Sequence, residues 1–277
     1  MDILDAVVIG AGQAGLSAAF HLGRLGLSHV VLDADEAPGG AWQHRWDSLT
    51  MHDVHGIAAL PGSTSPGESA ASANTVLPAY FSAYERAHAI AAVRPVAVDR
   101  VTDDGGLLET HAGDRSWTSR TIINATGTWS HPFVPFYPGI DSFAGEQLHP
   151  VDYPGPEHFR GRRTLVVGGG ASAVQLLGEI APVTDTVWVT RRPPVWRTDD
   201  FTPEAGRRAV ALVEERVPRG GIQLDGTTAV VDRRVQLVGY GPSASTIGAN
   251  RAGRTAARGV VAWLDGHADA EPVRDAG

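Results

Sequence analysis

The sequence predicts an α/β fold with two Rossmann-like dinucleotide-binding domains, of which the second is trimmed. A glycine-rich turn follows an apolar strand at residues 5–15, and a second such turn follows another apolar strand at residues 165–173. In each case a helix-compatible stretch and a further strand come next. A strand, a tight glycine turn and a helix N-terminus together hold a pyrophosphate on backbone N–H groups.

The first turn is built around Gly10, Gly12 and Gly15. The first two glycines allow the backbone to turn sharply and to approach phosphates, and the third position is small so that helix and strand pack closely. The helix is expected to stop at Gly26, and the next strand ends in Asp33. An acid at that place accepts hydrogen bonds from ribose hydroxyls. This part of the chain therefore predicts a site for a nucleotide with a free ribose.

The second turn carries Gly168, Gly170 and, at the third position, Ala173, a substitution that the pattern allows. Its next strand ends in Arg191 and Arg192. Guanidinium groups in this position suit the 2′-phosphate of NADP, although solvated charges at a strand end are the alternative. Two such turns followed by opposite charges predict a redox enzyme.

The segments between the turns supply the other elements. We expect a helix over residues 77–92, a short antiparallel meander over residues 94–123 and a proline-rich linker over residues 132–156.

The composition excludes several classes of protein. The chain has 277 residues, a formal net charge of −8 and no cysteine. The negative charge argues against nucleic acid and an anionic membrane as partners, and no apolar run approaches the length of a membrane span. Without cysteine the chain cannot run dithiol–disulfide chemistry or bind zinc through thiolates. We expect a cytoplasmic protein without a metal site.

Further motifs resemble those of a known family. The linker contains Phe143-x-Gly145-x-x-x-His149-x-x-x-Tyr153-Pro154 directly upstream of the second turn. The other motifs are, in chain order, Gly39-Gly40-Ala41-Trp42, Trp46-Asp47-Ser48-Leu49, Ala125-Thr126-Gly127 and Leu237-Val238-Gly239-Tyr240-Gly241. Their identity and order resemble the flavin-containing monooxygenases and their Baeyer–Villiger relatives, the class B flavoprotein monooxygenases, and most closely small bacterial members.

The resemblance covers most of residues 1–192 and again residues 236–264. Members of that family carry a longer nicotinamide domain, whereas only 45 positions separate Arg192 from Leu237 here. We therefore expect a discontinuous FAD domain with a small inserted NADPH domain. Their predicted bounds are residues 1–157 and 234–277 for the FAD domain and residues 158–233 for the NADPH domain.

The resemblance implies an FAD-dependent monooxygenase that consumes NADPH. It would oxygenate a small soft nucleophile (a sulfide or an amine) or a ketone through a flavin C4a-hydroperoxide, so its partners would be a small-molecule substrate and O₂. The protein would then need to position groups and exclude water rather than supply a catalytic triad. An uncoupled NADPH oxidase-type flavoenzyme and an FAD-binding protein with impaired NADPH binding stay open as alternatives. So does a homodimer in which a second chain covers the trimmed domain.

The resemblance also assigns site residues. The loop at residues 39–56 is expected beside the flavin ring, with His52 and Asp53 as candidate catalytic residues. His52 would tune protonation of the hydroperoxide, because histidine is the side chain that exchanges protons near neutral pH, and a solvent-facing loop histidine is the alternative. Trp42 and Trp46 either line the flavin or belong to the core. The residues assigned to cofactor binding are Gly10, Gly12, Gln13, Ala14, Gly15, Asp33, Gly40, Trp42, Trp46, Ala125, Thr126, Gly127, Gly168, Gly170, Ala171, Ser172, Ala173, Arg191, Arg192, Gly239 and Gly241.

Overall fold

A computed structural model of the chain describes residues 2–54, 57–194 and 222–267. The helices are α1 (Gln13–Arg24), α2 (Ala73–Ala87), α3 (Ala171–Ile180) and α4 (Thr246–Asp265). The strands are β1 (Leu4–Ile9), β2 (His29–Leu32), β3 (Ala92–Val93), β4 (Arg100–Asp104), β5 (Leu107–Ala112), β6 (Arg115–Asn124), β7 (Arg163–Val167), β8 (Asp185–Val189), β9 (Leu224–Asp225), β10 (Thr228–Ala229) and β11 (Val235–Leu237).

A nine-stranded sheet forms the centre of the first domain. Its strand order is β3-β2-β1-β6-β11-β10-β9, and the β4–β5 hairpin is attached to β6. Strand β1 pairs in parallel with β2 and β6, and β11 pairs in parallel with the other side of β6. Alternate residues of β1 enter the cores on opposite faces of the sheet, because successive side chains of a strand point to opposite sides. This Rossmann-like parallel core confirms the predicted α/β class.

Helices α1 and α4 cover one face of this sheet and approach each other closely. A Cβ added to Gly253 of α4 would lie 2.7 Å from the backbone nitrogen of Ala18 of α1. Ala252, Ala256 and Ala257 are buried in the same core. Small side chains at the contact therefore bring the two helix axes together, and the N-terminus of α4 comes close to that of α1.

Two predicted elements differ in their bounds. Helix α2 occupies Ala73–Ala87 rather than residues 77–92. The predicted meander is present as β4, β5 and β6, but the stretch Val96–Val98 that was expected to open it is not a strand. The reason is local: Pro95 has no N–H to donate, and the N–H of Val96 is used by the carbonyl oxygen of Asp33 at 2.7 Å.

The second sheet consists of β7 and β8, which are connected by α3 and pair in parallel. Residues on one face of both strands are exposed, among them Leu165 (57%), Val167 (49%), Val187 (47%) and Val189 (44%). Within the described part of the chain this sheet has two strands.

The hairpin of β9 and β10 joins the first sheet. Strand β10 pairs with β11, which pairs with β6. The sequence analysis put these strands inside the inserted domain, because its return point was set at residue 234. Strand pairing puts the return before Leu224, and the division into two domains with this adjusted bound remains a proposal. Residues 195–221 of the predicted insert and the tail at residues 268–277 lie outside the described residues. No helix in the described ranges is long and apolar enough to cross a bilayer.

Candidate dinucleotide-binding sites

The first glycine turn connects the end of β1 to the start of α1. Gly10 has a φ of 101°, and a Cβ added to it would lie 2.6 Å from the carbonyl oxygen of Ala125. A Cβ on Gly15 would collide with the Gly10 carbonyl oxygen, whereas one on Gly12 would meet nothing within 4 Å. The turn is thus packed on its inner side and open at Gly12. Gly12 is the N-cap of α1 and supplies no side-chain cap, so the first N–H groups of the helix suit an anion there.

Asp33 lies beside this turn but shares its carboxylate. Its Oδ1 accepts a hydrogen bond from the Ala11 N–H at 3.3 Å, and its Oδ2 accepts one from Arg94 Nε at 2.7 Å. The two terminal nitrogens of Arg94 donate to Glu85 at 2.9 and 2.7 Å. Burial alone would lower the pKa of Arg94, but the hydrogen bonds to Glu85 and Asp33 outweigh it and raise that pKa. A carboxylate has about four acceptor positions, so Asp33 can still accept from ribose hydroxyls.

Several predicted cofactor residues lie around the same turn. A Cβ on Gly40 would lie 2.8 Å from the Gly12 Cα, and one on Gly239 would lie 3.5 Å from the Ala14 Cβ and 3.8 Å from the Gly127 Cα. Ala125 continues β6 past β1, since its N–H donates to the Ile9 carbonyl oxygen at 2.8 Å. Thr126 is exposed next to it, and Gly241 begins the short 3-10 turn before α4. The structure therefore brings three separate segments to one turn, as the motifs predicted.

Gln13 connects the two helix N-termini near this turn. Its Nε2 donates to Asn250 Oδ1 at 2.9 Å and to the Ala58 carbonyl oxygen at 3.0 Å. Ser17 Oγ donates to the Asn250 carbonyl oxygen at 3.0 Å, and Asn250 Nδ2 donates to the Ala59 carbonyl oxygen at 2.7 Å. Gln13 thus fixes α1, α4 and the chain at residues 58–59 relative to each other.

Arg45 was not assigned by the sequence analysis, yet it lies among three indole rings. Its Cζ is 4.3 Å from the ring centroid of Trp129, 5.6 Å from that of Trp42 and 5.9 Å from that of Trp46. Its Nε is buried and has no hydrogen-bond partner among the described residues. Burial lowers the pKa of Arg45. The signal available in the sequence was its place directly before the Trp46 motif.

Trp46 itself is in the core rather than on an open wall. It is 7% exposed, and its Nε1 donates to Glu179 Oε1 of α3 at 2.7 Å. Trp42 is partly buried and packs against two of the core clusters. Of the two tryptophans, only Trp42 remains a candidate for contact with a bound ring system.

The two candidate catalytic residues lie on a surface turn. Asp53 Oδ2 accepts hydrogen bonds from the N–H of Thr50 at 3.0 Å and from its Oγ1 at 2.5 Å. The Asp53 carbonyl oxygen accepts from Gln175 Nε2 of α3 at 2.9 Å. His52 is exposed. The Asp53 carboxylate therefore closes its own turn, which is a structural use that the sequence analysis did not weigh.

The second glycine turn is more open than the first. Gly168 has a φ of 132°, and it receives a hydrogen bond from Trp188 Nε1 at 2.7 Å on its carbonyl oxygen. Gly170 is the N-cap of α3, and a Cβ there would meet nothing within 4 Å. Ala171, Ser172 and Ala173 form the first turn of that helix.

Arg191 and Arg192 come shortly after β8, whose end lies beside the second glycine turn. The Gly168 N–H donates to the Val189 carbonyl oxygen at 2.9 Å, so the end of β8 is attached to the turn. Arg191 and Arg192 are exposed, and within the described residues neither forms a salt bridge. Two exposed guanidinium groups beside an open helix N-terminus suit a phosphate.

Comparison with known proteins decides the family. The sequence profile described as pyridine nucleotide-disulphide oxidoreductase matches residues 7–236. The chain belongs to this family. It is an oxidoreductase with the fold of FAD- and NAD(P)-binding flavoproteins, although its lack of cysteine excludes a disulfide centre of its own.

A flavin-containing monooxygenase from Stenotrophomonas maltophilia has a similar solved structure. It is 34% identical, with a TM-score of 0.83, and the alignment covers 95% of this chain and 100% of that one. The resemblance to flavin-containing monooxygenases, and the enzyme class that it implied, are thereby confirmed.

Two curated relatives extend the comparison. The indole-3-pyruvate monooxygenase YUCCA1 of Oryza sativa is 31% identical over 176 residues, which are 62% of this chain and 43% of that protein. The ferredoxin–NADP reductase of Rhodospirillum rubrum is 32% identical over 215 residues, which are 76% of this chain and 58% of that protein. The chain spans about half the length of the curated relatives that it matches.

Proposed function

We propose that the protein is an FAD-dependent monooxygenase that consumes NADPH and oxygenates a sulfide, an amine or a ketone. The observation that carries this proposal is the pair of glycine turns: the first is packed against three motif segments, and the second is open and followed by two arginines that form no salt bridge with the described residues. The whole-length likeness to a flavin-containing monooxygenase supports the same function. The open space at Gly12 fits a pyrophosphate, because no side chain fills it.

In this proposal the first turn holds FAD. The N–H groups at the start of α1 bind the pyrophosphate, and Asp33 accepts from the adenosine ribose with its remaining lone pairs. Arg94 holds that carboxylate in place, since its Nε donates to Asp33 Oδ2 at 2.7 Å. The backbones at Gly127 and Gly239 form the adjoining surface, where glycine leaves room for close approach.

The second turn binds NADPH in the proposal. The α3 N-terminus contacts its pyrophosphate, and Arg191 and Arg192 bind its 2′-phosphate. When bound, the flavin supplies the redox chemistry, so the chain's own residues orient the two cofactors and exclude water. Arg45 brings a guanidinium group among the rings of Trp42, Trp46 and Trp129 in this site. His52 and Asp53 remain candidates only in so far as their loop approaches the flavin.

The test is a two-step mixing experiment with the purified protein. Its flavin absorbance is first recorded, NADPH is then added without oxygen, and air-saturated buffer with a small sulfide follows. We expect a bound flavin, bleaching by NADPH, and sulfoxide formed in proportion to NADPH consumed. A protein that binds no FAD on incubation contradicts the whole proposal.

An uncoupled NADPH oxidase-type flavoenzyme is the alternative outcome of this experiment. It predicts bleaching by NADPH followed by hydrogen peroxide rather than sulfoxide. Absence of bleaching in a protein that retains FAD indicates impaired NADPH binding instead. The cytoplasmic location and the homodimer stay predictions.

A further inference from the structure

Glu179 lies near the C-terminal end of α3, where three side chains from other segments donate hydrogen bonds to it. Trp46 Nε1 donates to Oε1 at 2.7 Å. Ser48 Oγ donates to Oε2 at 2.6 Å, and the Tyr153 hydroxyl donates to the same oxygen at 3.1 Å. One carboxylate therefore joins the helix of the second glycine turn to the loop after Gly40 and to the linker that precedes the second module.

Two of the three donors, Trp46 and Tyr153, belong to an apolar cluster beside this carboxylate. Leu176 and Ile180, on the same side of α3, pack in one core cluster with Trp46. The ring of Tyr153 meets that of Trp46 edge-on at a centroid distance of 5.4 Å and stacks on Phe159 at 5.8 Å. In such surroundings a charged acceptor makes strong hydrogen bonds, and its removal leaves partly buried donors unpaired.

Tyr153 is held as a donor in this arrangement. Burial, and then the charge and hydrogen bond of Glu179, raise the pKa of Tyr153, so its hydroxyl stays protonated at physiological pH. Trp46 Nε1 can only donate. All three partners thus present protons to one acceptor, and a neutral side chain at position 179 cannot accept from all of them equally well.

The opposite end of the same helix is the second glycine turn. Helix α3 has ten residues and begins at Ala171, directly after Gly170. A short helix moves as a rigid unit, so the position of its C-terminal end sets the position and direction of its first N–H groups. The adjoining bond from Gln175 Nε2 to the Asp53 carbonyl oxygen at 2.9 Å restrains the same helix against the same loop.

We infer that Glu179 is a positioning residue that fixes the second nucleotide module against the flavin-side loop and linker, and so sets the placement of nicotinamide relative to flavin. This inference rests on the proposed function. Glu179 does not contact the glycine turns, so it acts through Trp46, Ser48 and Tyr153 rather than on a reacting atom. Its loss should therefore change hydride transfer more than binding of either cofactor.

A double-mutant cycle tests the contact without any cofactor turnover. Glu179→Gln, Tyr153→Phe and the double variant are compared with the wild type by urea unfolding. Each single variant raises the unfolding equilibrium constant over the wild type by some factor. In the double variant the factor should be at least about threefold smaller than the product of the two single factors, because contacting residues couple. Glu157→Gln is the matched control, since Glu157 is exposed and pairs with Arg160. Combined with Tyr153→Phe it should give additive effects.

Anaerobic reduction by NADPH tests the positioning role. At saturating NADPH, Glu179→Gln should reduce the flavin about tenfold more slowly, since misplacement by an ångström costs orders of magnitude in rate. FAD content and the NADPH dissociation constant should stay within about twofold of the wild type, and Glu157→Gln should behave like the wild type. Ser48→Ala and Tyr153→Phe, which each remove one donor, serve if Glu179→Gln fails to fold.

Two results overturn the inference. Additive unfolding effects of Glu179→Gln and Tyr153→Phe would show that the two side chains are not in contact. If their effects are coupled but Glu179→Gln reduces the flavin at the wild-type rate, the contact only stabilises the fold. A wild-type protein that NADPH does not reduce contradicts the proposed function instead, and the unfolding cycle still tests the contact in that case.

Discussion

Gly40 and Gly12 approach each other so closely that a Cβ added to Gly40 would lie 2.8 Å from the Gly12 Cα. Gly40 also has a φ of 49°, which side chains other than glycine rarely adopt. The loop that carries Trp42 and Arg45 therefore meets the first glycine turn through a close backbone contact at Gly40, with no space for a methyl group between the two glycines.

Gly40→Ala should displace this loop and weaken FAD binding. The strained φ and the backbone clash together should lower the free energy of unfolding by about 2–3 kcal/mol. The control is Gly161→Ala, because Gly161 also has a positive φ of 72° but an added Cβ there meets nothing within 4 Å. That variant should cost about 1 kcal/mol and keep its flavin. Flavin content per chain and urea unfolding measure both effects, and equal FAD loss in the two variants would contradict the explanation.

Arg94→Met should destabilise the protein strongly. The side chains of Arg94, Asp33 and Glu85 are 9%, 8% and 9% exposed, so the substitution leaves two buried carboxylates without their shared cation. Breaking a buried pair in this way costs about 3–5 kcal/mol. Thermal or urea unfolding of the apo-protein measures the loss.

Arg160→Met is the control for that prediction. Arg160 also makes a two-pronged contact, with Glu157 at 2.8 and 2.7 Å, but both side chains are more than half exposed. Solvent screens such a pair, so unfolding should hardly change. Similar losses in both variants would indicate that the buried network does not contribute as described. The same network means that Asp33→Ala would test ribose binding and Arg94 pairing together, and the two effects are separated by comparison with Arg94→Met.

Replacing Arg191 and Arg192 by glutamine should reduce the preference for NADPH over NADH. Charge-assisted bonds to a phosphate contribute enough that the wild type should favour NADPH by roughly tenfold or more in kcat/KM, with most of the difference in KM. FAD content should not change, since Asp33 serves the other turn. Arg163→Gln removes an equally exposed arginine of β7 and is the control. Equal steady-state parameters for NADH and NADPH in the wild type would refute the assignment.

His21 should make stability fall on mild acidification. Burial, and then the charges of Arg254, Arg24 and Arg258, hold the pKa of His21 below its ordinary value of 6.5. The unfolded chain therefore takes up a proton before the folded chain does. The contribution is complete above about pH 6.5 and is lost as pH falls from there through the folded-state pKa.

His21→Gln removes this titration. Urea unfolding at about pH 7.5 and about pH 5.5 should show a smaller difference between the two conditions in the variant than in the wild type. His52→Gln is the control, because His52 is exposed. An identical pH dependence of the His21 variant and the wild type would contradict the prediction.

The sequence was informative where structure is local. Glycines at fixed spacing after an apolar strand predicted the turn at Gly10 and Gly12. The place of Asp33 at the end of the next strand predicted that its carboxylate lies beside this turn. The resemblance assigned Gly40, Gly127 and Gly239 to cofactor binding, and the structure brings all three close to the first glycine turn. Each of these follows from a short pattern, because a strand, a turn and a helix start are set by neighbouring residues.

Pairings between distant residues could not be predicted in this way. Arg94 and Asp33 are 61 positions apart in the sequence, and Glu179 and Trp46 are 133 apart. Neither pair belongs to a motif of fixed spacing that could be recognised in the sequence. Strands β9 and β10 fall within the predicted insert but join the first sheet through β11, a pairing that two-residue strands have too little pattern to predict. Trp46 is a further example. Its motif made it a candidate for cofactor binding, but its position in the core depends on the distant helix α3.

Close packing between the two ends of the chain has a consequence for folding order. Gln13 and Asn250 are 237 positions apart, and β11 forms one side of β6. On a ribosome the first strand, turn and helix emerge early, but they must wait for almost the whole chain before α4 can cover them. Contacts of such sequence separation slow folding and leave apolar surface exposed for longer. We expect this enzyme to refold slowly and to require low protein concentration, and FAD added during refolding should bind only after α4 has packed against α1.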